Sequence, residues 1–161
     1  MIDSALAKEF IAYFKKLTDF YKKFFSLESE KYNDVKSGNF KALDGYIKKE
    51  QAYILKAKGF EAERKRLMGR TEKPAATFKE ILPLFEGGER ESAQALYGEL
   101  SGVLRKFKQL NAECNRLTES KLRRASFVIS KLKNNPELKK TYDEHLKSSG
   151  PAETKFLSEK V

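Results

Sequence analysis

"KQLNAECNRL", Lys108–Leu117, holds the pattern that decides the fold. Extended in both directions it reads as heptads. Ala93, Leu100, Phe107, Cys114 and Val128 share one position, and Leu96, Val103, Leu110 and Leu117 share the next. Tyr97, Leu104, Asn111, Thr118, Ala125 and Leu132 share a third. Apolar residues at this spacing predict one amphipathic helix from about Glu89 to Lys133, ~67 Å long at ~1.5 Å per residue. Asn111 stands where its neighbours predict leucine. A buried amide costs stability unless paired, and its common use is to fix register and partner. Asn111 is therefore expected to form a register-setting polar layer. Asn115 lies on the adjoining flank with Ser101 and Lys108, and that flank turns apolar at Leu122 and Ile129. Such drift follows when a helix of ~3.6 residues per turn carries a repeat of ~3.5.

Outward from this helix the chain stays helical. Asp3 is a plausible N-cap for a first helix over residues 4–36, whose apolar and aromatic residues (Phe10, Phe14, Leu17, Phe20, Phe24 among them) cover an arc of roughly 160°. A stripe that wide predicts packing against two neighbours, or an aromatic surface that meets another protein. Gly38 suits a left-handed helix end and Asn39 the cap of a second helix, 40–68, folding back antiparallel on the first. Glu50 and Arg64 sit within or beside its apolar arc, where paired charges set register. "TFKE", Thr77–Glu80, has the form of a capping box and predicts a short helix limited by Pro83 and "EGG". "NNP" at 134–136 ends the third long helix. Pro136 then starts a short helix to about Leu146. The expected fold is all-α: an elongated antiparallel bundle of three long helices, a short helix between the second and third, and a short C-terminal helix. Residues 1–135 form the bundle and 136–161 a short helix and mobile tail.

Composition narrows function by exclusion. His145 is the only histidine and Cys114 the only cysteine among 161 residues. No zinc set or Glu-x-x-His di-iron pair can be assembled, and a Ser-His-Asp arrangement would need His145, near an end expected to be mobile. "EGGE" at 86–89 is a turn rather than a phosphate loop, because no strand precedes it. Neither catalysis nor a cofactor or metal is expected. The net charge is +10, with +6 in residues 1–70, −1 in 71–120 and +5 in 121–161. Lysines mostly alternate with acids at helical spacing, as on solvated faces. "KLRRASFVISKLK", 121–133, is the best stretch for nucleic acid, but Arg123 and Arg124 point ~100° apart and a single Phe127 interleaves, so no specific nucleic-acid binding is expected. The start "MIDSALAKEF" lacks signal-peptide character, no apolar run approaches the ~20 residues of a membrane span, and one cysteine suits a reducing compartment. The expected location is cytoplasmic, without membrane insertion.

"LNAECNRL" resembles the long third helix of the FlgN family of flagellar export chaperones. "SLESEKYNDVKSGNFKAL" is similar to that family's glutamate-bearing first helix and its glycine break, with Glu28 or Glu30 as the matching glutamate. "IKKEQAYILKAKGFEAERKRL" is similar to its second helix and the arginine matching Arg64, while Glu50 stands where the family has lysine. The resemblance implies a chaperone that binds flagellar hook-associated proteins through their C-terminal helical segments and delivers them to the flagellar export gate. A chaperone of this kind needs an exposed apolar groove for an amphipathic helix. The expected partner-binding residues are Asn115, Leu122 and Ile129 on the drifting flank, with Leu138, Tyr142 and Leu146 at i, i+4, i+8 beyond it. Leu138, Tyr142 and Leu146 would otherwise close the open end of the bundle. The other classes that fit are a coiled-coil scaffold or dimerisation protein and a basic nucleic-acid-binding helical protein. Homodimerisation through the aromatic surface stays open.

Overall fold

The structure is a computed structural model that describes residues 1–149, with side chains through His145; residues 150–161, the tail expected to be mobile, lie outside it. It contains α1 (Ser4–Ser37), α2 (Leu43–Met68), α3 (Phe78–Ile81), α4 (Gly87–Lys133) and α5 (Pro136–Ser149), and no strand among the described residues. Local chemistry sets most boundaries where the sequence placed them. Asp3 Oδ1 accepts the Leu6 N–H at 2.8 Å. Gly38 ends α1 at φ +80°, a left-handed conformation that a side chain disfavours. Glu80 accepts from both the backbone N–H and the hydroxyl of Thr77, at 2.7 and 2.8 Å, closing the capping box. The Leu138 N–H donates to Asn135 Oδ1 at 3.3 Å, with Pro136 at the first position of α5.

One cap differs. Asn39 does not cap the second helix; its amide donates to Asp34 Oδ1 at 3.3 Å. A 3-10 turn, Phe40–Ala42, intervenes, so α2 begins at Leu43.

α1 is the axis on which the molecule is built. Its wide arc is buried from Leu6 through Phe10, Tyr13, Phe14, Leu17, Phe20, Phe24 and Leu27 to Val35. The aromatic surface is thus covered within the chain, by two neighbours, as the arc width predicted. Ser4 Oγ donates to Glu89 at 2.6 Å, Tyr21 meets Phe107 at 5.6 Å, and Lys121 Nζ donates to the Lys36 carbonyl at 3.5 Å. These pairs advance together, so α1 and α4 run parallel and in register along the whole of α1. Phe24 stacks on Tyr53 at 4.7 Å and Tyr13 meets Phe60 at 6.1 Å, so α2 runs antiparallel to α1. Successive long helices alternate direction as expected. The dominant seam is nevertheless the parallel α1–α4 pair. α2 leans on α1 through aromatic rings and buries fully only Leu67 and Met68.

The bundle is closed at one end. Phe78 of α3 packs edge-on against Phe14 at 5.0 Å and Phe10 at 6.4 Å, and Phe85 meets Phe10 at 5.8 Å. The Ile2 N–H donates to the Leu84 carbonyl at 3.0 Å, strapping the start of the chain over this plug. The other end thins. Since Lys36 stands beside Lys121, residues from about Leu122 to Lys133 of α4 project past α1 by ~18 Å.

Asn111 does not form the buried layer expected of it. It is half-buried, and among the described residues its side chain makes no hydrogen bond. Cys114, three residues on, takes the buried place in the seam. Asn111 sits at the rim of the α1–α4 contact, where water can solvate the amide and no partner is required.

Phe14 is wholly buried and touches rings from α1, α3 and α4, whereas Leu55 on α2 is 71% exposed. Phe14→Ala should cost about 3–5 kcal/mol in chemical denaturation, as large-to-small core substitutions do. Leu55→Ala should change stability by about 0.5 kcal/mol or less.

Candidate partner-binding surface

Among the described residues, the projecting end of α4 carries an apolar face that no other element covers. Leu122, Ala125, Val128, Ile129 and Leu132 fall within an arc of about 120° at ~100° per residue. Leu122, Val128 and Ile129 are 37%, 39% and 53% exposed. Val128 continues the line of Leu100, Phe107 and Cys114, and Ala125 and Leu132 continue that of Tyr97 and Leu104. Those earlier residues pack against α1 or at its margin. The core-facing stripe therefore runs on after its partner helix has ended. Phe127 lies off this arc, 63% exposed, with Lys131 Nζ 5.4 Å from its ring centroid.

Of the residues singled out from sequence, Leu122 and Ile129 share this face. Asn115 is aligned with them two turns back, exposed and beside α1. Leu138 and Tyr142 are on α5, 53% and 43% exposed. They do not close the end of the bundle, for α5 is exposed throughout its described side chains. Leu146 falls in α5, but its side chain lies outside the described residues. Val128 and Leu132 were not singled out, although the heptads that placed Cys114 and Leu104 already assigned them.

A second polar feature lies inside the bundle. Glu28 of α1 is 2% exposed. Its Oε2 pairs with Lys31 Nζ at 2.8 Å, and Lys31 also pairs with Glu50 of α2. Glu28 Oε1 has no hydrogen-bond partner among the described residues. Burial, then the adjacent Glu50 carboxyl, push the Glu28 pKa up to about 7, with Lys31 pulling the other way. Burial works against the charge on Lys31, but the two carboxyls outweigh it and its pKa is raised. The Cys114 thiol of α4 feels the same cluster and is pushed up mainly by burial. Of the two glutamates, Glu28 is buried and Glu30 is exposed. Glu50, expected to help set register, does so by tying α2 to α1. Arg64 pairs instead with Glu61 on its own helix, at 2.8 Å.

Among the described residues no cluster could hold a metal ion, and no helix is long and apolar enough to cross a membrane. Among the described residues the bundle is thus sealed at one end and leaves an apolar helix face uncovered at the other. The FlgN protein family matches residues 1–149, and the chain belongs to that family of flagellar export chaperones. No curated protein and no solved structure gives a significant match.

The Glu28 cluster generates a pH signature. The folded pKa, about 7, is above the ordinary 4.5, so the folded state holds the extra proton between these values. Glu28's contribution is complete below about pH 4.5 and is lost as pH rises through about 7, a change on the order of 3 kcal/mol. Glu28→Gln should remove most of this slope from melting temperatures measured between pH 5 and 8. It should leave the protein at least as stable as the parent at pH 8, since the buried carboxylate at that position is then absent while Lys31 keeps its pair with Glu50.

Proposed function

We propose that the chain is a cytoplasmic export chaperone that masks the C-terminal helical segments of flagellar hook-associated proteins and hands them to the export gate. The observation that carries this reading is the apolar stripe of α4 running on past the end of α1. A cargo helix laid along Leu122, Val128, Ile129 and Leu132 would take the place α1 holds further back. It would complete a helical pair the chain leaves unfinished, in the helix-in-groove mode. α5 supports the same reading. With Leu138 and Tyr142 exposed and little packing of its own, it can settle onto a bound helix as a cover, ordering only when cargo arrives.

Calorimetric titration with a peptide from the C-terminal helix of a hook-associated protein tests this. Leu122→Ser/Ile129→Ser should weaken binding tenfold or more, roughly 1.4 kcal/mol, while the melting temperature stays nearly unchanged. Truncation after Lys133 should likewise spare the melt and weaken the complex. Unchanged affinity in both variants would place cargo elsewhere. Light scattering of the parent protein decides the rival: a stable dimer dispersed by Leu122→Ser/Ile129→Ser would mean the stripe pairs two copies of the chain.

A further inference from the structure

A second surface lies about 30 Å along the axis from the α4 stripe, in the cleft between α1 and α2. Because α2 stands off from α1 on aromatic side chains, the two helices leave an open trough of about 420 Å³. Phe20, Tyr53 and Phe60 line it as an apolar floor, and Lys16, Lys23 and Lys56 stand along it. Lys16, Phe20 and Lys23 follow one another at i, i+4, i+7 on α1. Tyr53, Lys56 and Phe60 do so at i, i+3, i+7 on α2. Each wall therefore presents two turns, about 10 Å: on α1 two cations border a ring, and on α2 one cation stands between two rings.

The charge here is in surplus, three lysines to one aspartate along the trough. Among the described residues Lys16, Lys23 and Lys56 make no ion pair, whereas Lys22 and Lys31 nearby are both paired with glutamates. Among the described residues Asp19 is the one acid lining the trough. Lys56 Nζ stands over the Phe20 ring, 6.0 Å from its centroid. The rings are engaged with one another: Tyr53 stacks on Phe24 at 4.7 Å, and Phe20 meets Phe60 at 5.0 Å. The floor suits aliphatic side chains better than a stacked base.

We propose that this trough docks an acidic amphipathic helix of a partner protein. Leucine-type side chains would lie over Phe20, Tyr53 and Phe60, with carboxylates on Lys16, Lys23 and Lys56. Charge complementarity selects the occupant: three free cations at helical spacing around an apolar strip mirror a helix whose leucines are flanked by glutamates. The trough and the α4 stripe are separate, so both can be filled at once.

The test uses the full chain and a synthetic helical peptide of about 18 residues with leucines at i, i+4, i+7 and glutamates beside them, labelled with fluorescein. Anisotropy should show saturable binding that weakens with salt. A control peptide with every glutamate replaced by lysine should not bind. Lys16→Glu/Lys23→Glu/Lys56→Glu should weaken the acidic peptide about tenfold or more, as should Ala52→Trp, which fills the trough and leaves its charge intact. Ala52 is exposed, so the second variant keeps the fold, which a melt verifies. Leu122→Ser/Ile129→Ser should leave this binding unchanged. The proposal is overturned if the acidic peptide fails to bind, or if both trough variants bind it as the parent does. Loss on changing Leu122 and Ile129 instead would assign the peptide to the α4 stripe and also overturn it. So would tighter binding of a thymidine oligonucleotide that the lysine variant abolishes, because it would assign the trough to nucleic acid.

Discussion

The parallel seam between α1 and α4 is the contact on which the rest of the molecule depends. The two helices start at the same end and are unequal, 34 residues against 47. Parallel packing in register then forces the surplus of α4 to project from the opposite end. The plug of Phe78, Ile81, Leu82 and Phe85 can form only at the common start, where both helices are present to receive it. The molecule is therefore thick and dry at one end and a lone helix at the other. The unpaired stripe needs no special sequence of its own. It is the ordinary core pattern of α4 continued beyond its partner.

Much of this was legible in the chain. Gly38, the Thr77–Glu80 box and the Asn135–Pro136 start each act within a few residues, so their chemistry fixes local structure whatever the tertiary context. The heptads of α4 were equally plain. What could not be read was which pair of helices would dominate. An arc of roughly 160° on α1 says there are two neighbours, not which lies closer. The answer rests on side-chain size: α4 meets α1 through leucines and alanines as well as rings, while α2 meets it through Tyr53 and Phe60. Asn111 misled for a related reason. A heptad letter gives an angle, and near the edge of a seam a small rotation decides between burial and water.

The polar layer that Asn111 seemed to announce exists elsewhere, as Glu28, Lys31 and Glu50. Part of its signal was visible, since Glu50 interrupts the apolar arc of α2 and Glu28 with Lys31 is an i, i+3 pair. The depth of Glu28 was not, because burial comes from three helices converging. Replacing such a network by apolar residues of the same shape often stabilises a protein, so its presence argues for specificity. Here it ties α2 to one height on α1, together with the hydrogen bonds from Tyr46 to Asp34 and from Tyr13 to the Phe60 carbonyl. The trough left no local trace either: Lys16, Lys23 and Lys56 each read as a residue on a solvated face, and only folding sets them around one apolar strip.

Those same lysines bear on why a helical binding protein should be so basic. Net charge of +10 opposes compaction and would be tolerated most easily if spread evenly. It is not spread evenly, for the stretch from residue 71 to 120 carries a net −1. The surplus lies in the α1–α2 half and in the residues from Lys121 onward. These are the two regions that present apolar surface without a partner. An unpaired apolar stripe invites self-association, and like charges beside it repel a second copy while drawing in acidic segments. On this reading the basic charge and the exposed apolar faces form one device. The lysines and arginines keep copies of the chain apart, and they select, among the helices that could cover its bare surfaces, those flanked by carboxylates.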